Sequence, residues 1–322
     1  MLDICRNIRP RVVVAALGGD SFDFLRFVPQ GYLRVAMIQS DDAKVYEQVV
    51  RYAAWIDTVV GVSLEICRKA KVALGNAITQ ISYQPYGVPM VEEVTLPVRT
   101  DVLKVLYLGR VCEEQKRVAL MSRIMRQSLD YPFPIRWTIA GDGEALPKMR
   151  DSFADRPQQV SFLGAIPYEQ VPQLFARHDV YFLCSDYEGL PLSLLEAMGA
   201  GVVPVVSDLA SGISEVVNLQ NGIRVPIGDE AGYLQALFQL AERQDHLDEM
   251  ATHCIAAVRK NFSVASMADR WLVMIENHLV GGQPDWSQKI KILPPLAYQN
   301  QLKYHPLLKP FRRVAKQFFV RK

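Results

Sequence analysis

Between Leu103 and Arg224, short runs rich in β-branched residues alternate with stretches of helical pattern, and this alternation constrains the fold more than any other feature of the chain. The candidate strands are LKVLYLG, IRWTIAG, VSFLG, VYFLCS, VVPVVS and GIRV. Between them lie candidate helices from Glu114 to Gln127, Tyr168 to Arg177 and Leu192 to Met198. Strands separated by helices at this spacing imply a parallel sheet covered on both faces, so the expected fold class is α/β and doubly wound.

The region before Pro97 has the same grammar in a shorter form. RVVVAA, YLRVAMIQ, DTVVGVS and ITQISY read as strands, with helices near Asp42 to Ala54 and Leu64 to Leu74. The segment YGVPMVEEVTLPVRT reads as a linker. The expectation is therefore two Rossmann-like units facing a cleft: residues 1–97, residues 98–280 and a basic tail, 281–322. After Arg224 the pattern turns helical through about Val280, and the prolines of ILPPL and HPLLKP break any long helix beyond.

A chain of 322 residues, half of them apolar, can bury two cores. Its formal charge of +2 gives no general attraction to nucleic acid. The charge is uneven, however: Trp286 to Lys322 carries nine Lys or Arg and no acid, leaving 27 basic against 34 acidic residues before it. Five scattered cysteines with no C-x-x-C pair suggest neither a disulfide framework nor zinc, and fit a reducing compartment. The early apolar run VVVAALGG is too short to span a bilayer, so the chain reads as cytoplasmic.

Ligands of such sheets bind at the carboxyl ends of strands, and four segments fall there. In LYLGRVCEEQKR, Gly109 ends a strand, Arg110 follows, and Lys116 comes six residues later in the next helix. Two cations beside a helix start suit a diphosphate, although surface positions would also account for them. In IAGDGEAL, Gly141 and Gly143 flank Asp142, which a tight turn explains without any ligand. FLGAIP, with Ile166, is a similar strand end. In SDYEGLPLSLLEAMGAGVVPVVSD, Glu188 and Gly189 precede Pro191 at a helix mouth, and Glu196 is the single charged residue from Gly189 to Val206. A half-buried carboxylate needs hydrogen-bond partners; the solvated side of an amphipathic helix is the competing explanation.

Together these segments resemble the retaining glycosyltransferases of family four, with the two-Rossmann-domain architecture called GT-B. EGLPLSLLE looks like that family's E-x7-E motif, GRVCEEQK like its Gly-Arg with a following Lys, and NGIRVPIGD like the segment that usually follows. The likeness extends over roughly residues 55 to 280, IDTVVGVS and YGV included. It implies a metal-independent hexosyl transfer from a nucleotide-diphosphate sugar, with no cofactor. Arg110, Lys116 and Glu188 would be the catalytic residues: the two cations neutralise the leaving diphosphate, and Glu188 binds donor-sugar hydroxyls. The amides near Gly189 and Leu190 would meet the phosphates, Glu196 the ribose and Ile166 the base. Gly109, Gly141 and Leu192 complete the implied donor-binding set.

Two departures stand out. The family's first domain usually carries further strand and helix units with a glycine-rich loop; at about 30 residues per unit, two or three are missing here, so the first domain is expected to be incomplete. Many relatives also have a histidine where this chain has Gln39, and no histidine precedes His178, which reads as structural. A noncatalytic nucleotide-sugar-binding or assembly subunit is therefore the alternative function. Residues 305–322 place Phe311, Val314, Ala315 and Phe318 on one helical face and Arg312, Arg313 and Lys316 on the other. That pattern suits an anionic membrane surface at the inner face of the cell, and an acceptor that is an envelope glycan or lipid-linked; a tail packed back on the first domain, with its charges merely solvated, is the competing reading.

Overall fold

The computed structural model describes residues 10–278 except 17–18, 30, 78–79, 91–92, 95 and 97–99, together with Cys5 and Ile8. The basic tail and its 305–322 face lie outside the described residues. Among the described residues, no helix is long and apolar enough to cross a membrane.

Among the described residues, ten strands form two parallel sheets. The first has the order β1-β2-β3-β4, from Val12–Ala15, Leu33–Ile38, Thr58–Gly61 and Ile81–Tyr83. The second contains β5 (Leu103–Leu108), β6 (Ile135–Ala140), β7 (Val160–Gly164), β8 (Val180–Leu183), β9 (Val203–Ser207) and β10 (Ile223–Val225), in the order β10-β9-β8-β5-β6-β7. From β5 the chain winds outward to β7, then returns to β8 beside β5 and winds the other way. This is the doubly wound order with its switch point between β5 and β8. The two-sided α/β expectation holds, and the strands fall where the β-branched runs place them. All four residues of β8 are buried, as a central parallel strand requires.

The helices follow the sequence less closely. Leu64–Leu74 and Leu192–Gly199 match their patterns, and Ser63 caps the former by accepting from the Ile66 amide at 3.1 Å. The stretch expected as one helix from Glu114 to Gln127 is two, Glu113–Lys116 and Val118–Ser128, because Arg117 takes the left-handed conformation at φ 46°. The Tyr168 to Arg177 helix opens with a 3-10 turn and ends at Phe175. Short helices at Asp20–Phe24, Leu146–Asp151 and Gly212–Val216 have too few residues to show a period.

The two sheets are tied together twice. The amide of Val88, in the connecting segment, donates to the Phe262 carbonyl at 2.8 Å, and Val264 returns a bond to Val88 at 3.1 Å. From there the helix Val264–His278 runs back over the first sheet, where Met274 packs with Leu33, Val35 and Val60. At the cleft, the Leu64 amide, a free donor at a helix start, donates to Glu215 Oε1 at 2.6 Å across the gap.

Candidate functional site

The switch point brings together residues 72 apart in sequence. Lys116 ends the short helix after β5, and Glu188 lies in the loop after β8; the Lys116 ammonium donates to Glu188 Oε1. The two side chains are 11% and 9% exposed, so this ion pair is largely desolvated. A buried pair is stable only while both partners stay, and either one left alone is costly.

The pair is positioned by a clasp of neighbouring residues. The Gln115 carbonyl accepts from the Asp186 amide at 2.9 Å, and Gln115 Nε2 donates to the Tyr187 carbonyl at 2.9 Å. The remaining atom of that amide, Oε1, accepts from Arg110 Nη2 at 2.7 Å. Arg117 then pairs through Nε with Asp186 Oδ1. The left-handed turn at Arg117 thus lets consecutive residues grip one loop from both ends. Arg110 is exposed and held by Gln115, beside the buried pair and free to turn its other donors to an anion.

The glycines mark close backbone approaches. Gly109 donates to the Ala140 carbonyl at 3.0 Å and Gly141 to the Gly164 carbonyl at 2.7 Å, so the sheet pairing continues into the loops. A Cβ on Gly141 would fall 1.8 Å from the Gly109 carbonyl oxygen. Gly189 is pressed against the main chain of Gln39 from the first sheet, and its own carbonyl accepts from the Gly212 amide at 2.7 Å. Leu190 is buried and Leu192 exposed at the mouth of Leu192–Gly199. No side chain caps that helix, so its first amides and its positive dipole end are available to an anion.

Glu196, just over one turn into the helix, is half-buried, and burial raises its carboxyl above the ordinary range while a hydrogen bond from Tyr168 opposes the shift. It therefore has a partner within the protein, and it also lines a cavity of about 320 Å³ with Tyr168, Val171, Phe175 and Glu93. Ile166 is half-buried at the β7 strand end and packs on the core. His178 is spent on structure: Nδ1 donates to the Leu174 carbonyl at 2.7 Å and Nε2 meets Thr138 Oγ1 at 2.8 Å.

Sequence reasoning thus finds the paired Lys116 and Glu188 and the neighbouring Arg110, but not Gln115, Arg117 or Asp186. Gln115 had a signal, since it lies inside the same Arg-to-Lys segment. The contact of Glu215 with a helix 151 residues earlier had none. Among the described residues, no three of His, Cys, Asp and Glu gather into a group that holds a metal ion.

Residues 103–243, the span that contains this clasp, match the family model described as glycosyl transferases group 1. They are a group 1 glycosyltransferase domain. The chain is 24% identical over 172 residues to the GalNAc-alpha-(1->4)-GalNAc-alpha-(1->3)-diNAcBac-PP-undecaprenol alpha-1,4-N-acetyl-D-galactosaminyltransferase of Campylobacter jejuni, covering 53% of this chain and 47% of that one. It spans about half the length of the curated relatives it matches. A complex of S. aureus TarM that contains UDP superposes with a TM-score of 0.73 at 16% identity, covering 85% of this chain and 58% of that one. Anabaena Alr3699/HepE in complex with UDP-glucose superposes with a TM-score of 0.72 at 16% identity, covering 86% of this chain and 80% of that one. At these identities the likeness shows the fold, and the group 1 domain with the sheet before it has the GT-B architecture.

Proposed function

We propose that this chain is a retaining, metal-independent glycosyltransferase that moves a hexosyl group from a nucleotide-diphosphate sugar to a hydroxyl of a lipid-linked or envelope glycan. The observation that carries the reading is the desolvated Lys116–Glu188 pair at the switch point, flanked by Arg110 and an uncapped helix start. A donor diphosphate offers Lys116 a second anion. As the ammonium turns to it, Glu188 is released to accept hydroxyl hydrogens from the donor sugar, and neither charge is left unpaired in a dry site. Arg110 and the amides from Gly189 to Leu192 then face the negative charge that grows on the leaving diphosphate. In a water-poor cleft such fixed donors contribute most of the rate.

Glu196 receives the ribose hydroxyls in exchange for its bond to Tyr168, Ile166 borders the base, and Gly109 and Gly141 keep the loops close to the diphosphate. No metal or organic cofactor enters this scheme: Arg110 and Lys116 carry the charge. The name of the Campylobacter jejuni relative, with its undecaprenol-linked substrate, supports a lipid-linked acceptor. The UDP in the TarM complex and the UDP-glucose in the HepE complex support a nucleotide-sugar donor. A lipid-linked acceptor in turn favours work at the cytoplasmic membrane face, with residues 305–322 as the basic contact. The units are residues 1–97 on the acceptor side and 98–280 on the donor side.

Calorimetric titration of the purified chain with UDP, GDP and ADP is the test, with Glu196→Ala as control. Saturable binding of one nucleotide, lost in the variant, is expected, followed by transfer from the matching nucleotide sugar to a bacterial lipid extract. Transfer should vanish in Glu188→Ala and Lys116→Ala. Binding without transfer to any acceptor would favour a noncatalytic nucleotide-sugar-binding subunit, and no binding by a folded chain would defeat both readings.

A further inference from the structure

A second polar site lies away from the Lys116–Glu188 pair, in a groove of about 580 Å³ between edge strand β4 and the helix Val264–His278. Among the described residues, three buried polar atoms that line it have no hydrogen-bond partner: Gln84 Oε1, Arg270 Nε and His278 Nε2. Each is fixed in place by the rest of its side chain. Gln84 is 4% exposed, and its Nε2 donates to Ser82 Oγ at 3.0 Å and to the Arg270 carbonyl at 3.3 Å, which assigns Oε1 as the outstanding acceptor. Arg270 Nη2 donates to the Asn261 carbonyl at 2.9 Å, leaving Nε–H as an outstanding donor. His278 Nδ1 donates to the Met274 carbonyl at 2.5 Å, so in the neutral ring Nε2 is an acceptor.

Buried polar atoms are nearly always satisfied, and three orphans lining one groove ask for a ligand that both donates and accepts. An inorganic anion would answer Arg270 but set its lone pairs against Gln84 and His278. An ammonium group would answer those two and leave the guanidinium unmet. A pair of hydroxyls answers all three: one O–H donates to Gln84 Oε1, the other to His278 Nε2, and either oxygen accepts from Arg270 Nε. The charged rim is balanced by Asp269 and Arg270, so it selects no ion, and Ile81 with Met274 offers an apolar surface for a C–H face. Grooves of a few hundred Å³ with this mixture suit small polar ligands.

We propose that this groove binds a neutral, hydroxyl-rich sugar unit. Its place on the first sheet makes that unit part of the acceptor glycan, remote from the reacting hydroxyl; this last step rests on the transferase reading, whereas the sugar site itself does not.

The test is saturation-transfer NMR on the full chain held in excess UDP, with methyl α-glucoside, methyl α-galactoside, N-acetylglucosamine and N-acetylgalactosamine as probes and glucuronate as the anionic control. At least one neutral probe should bind and glucuronate should not. Gln84→Met and Arg270→Met should each weaken the neutral probe about tenfold or more, the loss of one or two hydrogen bonds. Asn277→Leu, on the exposed rim, repeats the test without touching a buried group. The proposal is overturned if no neutral probe binds, if glucuronate binds equally, or if binding survives all three groove variants. UDP affinity, followed in the same samples, reports separately on the transferase reading.

Discussion

Gly189 lies so close to Gln39 that a Cβ on it would sit 2.2 Å from the Gln39 carbonyl oxygen. The glycine belongs to the donor-side loop and the carbonyl to the end of β2, so this approach, with the Leu64–Glu215 and Val88–Phe262 contacts, sets how closely the two sheets meet. Gly189→Ala replaces it with a clash against main chain, which cannot rotate away as a side chain can. The clash lies at the cleft, outside both sheets, so the variant is expected to fold and to open there. A misplacement of about 1 Å costs roughly a hundredfold in rate. Small-angle scattering should show a larger radius of gyration, and transfer should fall by about that factor. Unchanged scattering and unchanged transfer together would contradict this account of the glycine.

The Lys116–Glu188 pair makes a different demand, on stability. Lys116→Met leaves Glu188 buried and unpaired, and breaking such a pair from one side costs about 3–5 kcal/mol. Replacing both, as Lys116→Met with Glu188→Leu, removes the orphaned charge and should restore most of the loss. Urea denaturation of the two single variants and the double variant measures the difference. If the double variant is as unstable as the sum of the singles, the two groups are not coupled as the structure has them.

The reach of the sequence follows from what sets each feature. The β8 run was legible because a central parallel strand is apolar throughout, β5 because it is apolar but for Lys104 near its start, and Leu64–Leu74 because its apolar positions keep one face. Arg110, Lys116, Glu188 and Glu196 stood out as charges at strand ends and in an apolar stretch. What decides their geometry did not stand out. The break at Arg117 places a non-glycine residue in the left-handed region, which no local pattern announces, and it alone divides the expected helix. Tyr168 as the partner of Glu196 and Glu215 as a cap on Leu64 are products of packing between distant segments. The same holds for the reason Gly189 is a glycine, which lies on the other sheet.

Gly141 is a case where the site's geometry and the fold's stability share one residue. It sits at φ +134°, and a Cβ there would meet both the carbonyl oxygen and the carbonyl carbon of Gly109, at 1.8 and 2.8 Å. Gly141→Ala therefore combines backbone strain with a clash between two loops of the second sheet, a loss expected to exceed about 3 kcal/mol. Gly75 is the control, with φ +53° and nothing within 4 Å of its added Cβ. There Gly75→Ala meets backbone strain alone and should cost less, about 1–2 kcal/mol. Thermal melts of the two variants should therefore differ widely, and equal melting temperatures would show that the loops after β5 and β6 are not held together as tightly as this.

Glu196 ties pH to both stability and binding. Burial lifts its carboxyl above the ordinary 4.5, so the folded chain holds that proton more tightly than the unfolded chain does. Its contribution to stability is therefore greatest in acid, declines as pH rises from about 4.5 through the raised value, and stays at its lower level above it. Glu196→Gln removes that slope while keeping one acceptor for Tyr168. The variant should be more stable than the parent at pH 8, by a margin that shrinks toward pH 4. Its nucleotide affinity should move the other way, weakening about tenfold or more as a charged acceptor for the ribose is lost. Denaturation curves across that pH range and a UDP titration at pH 8 check the two halves. A stability difference that does not change with pH would mean that Glu196 is solvated, and that the cavity beside it is not where the ribose binds.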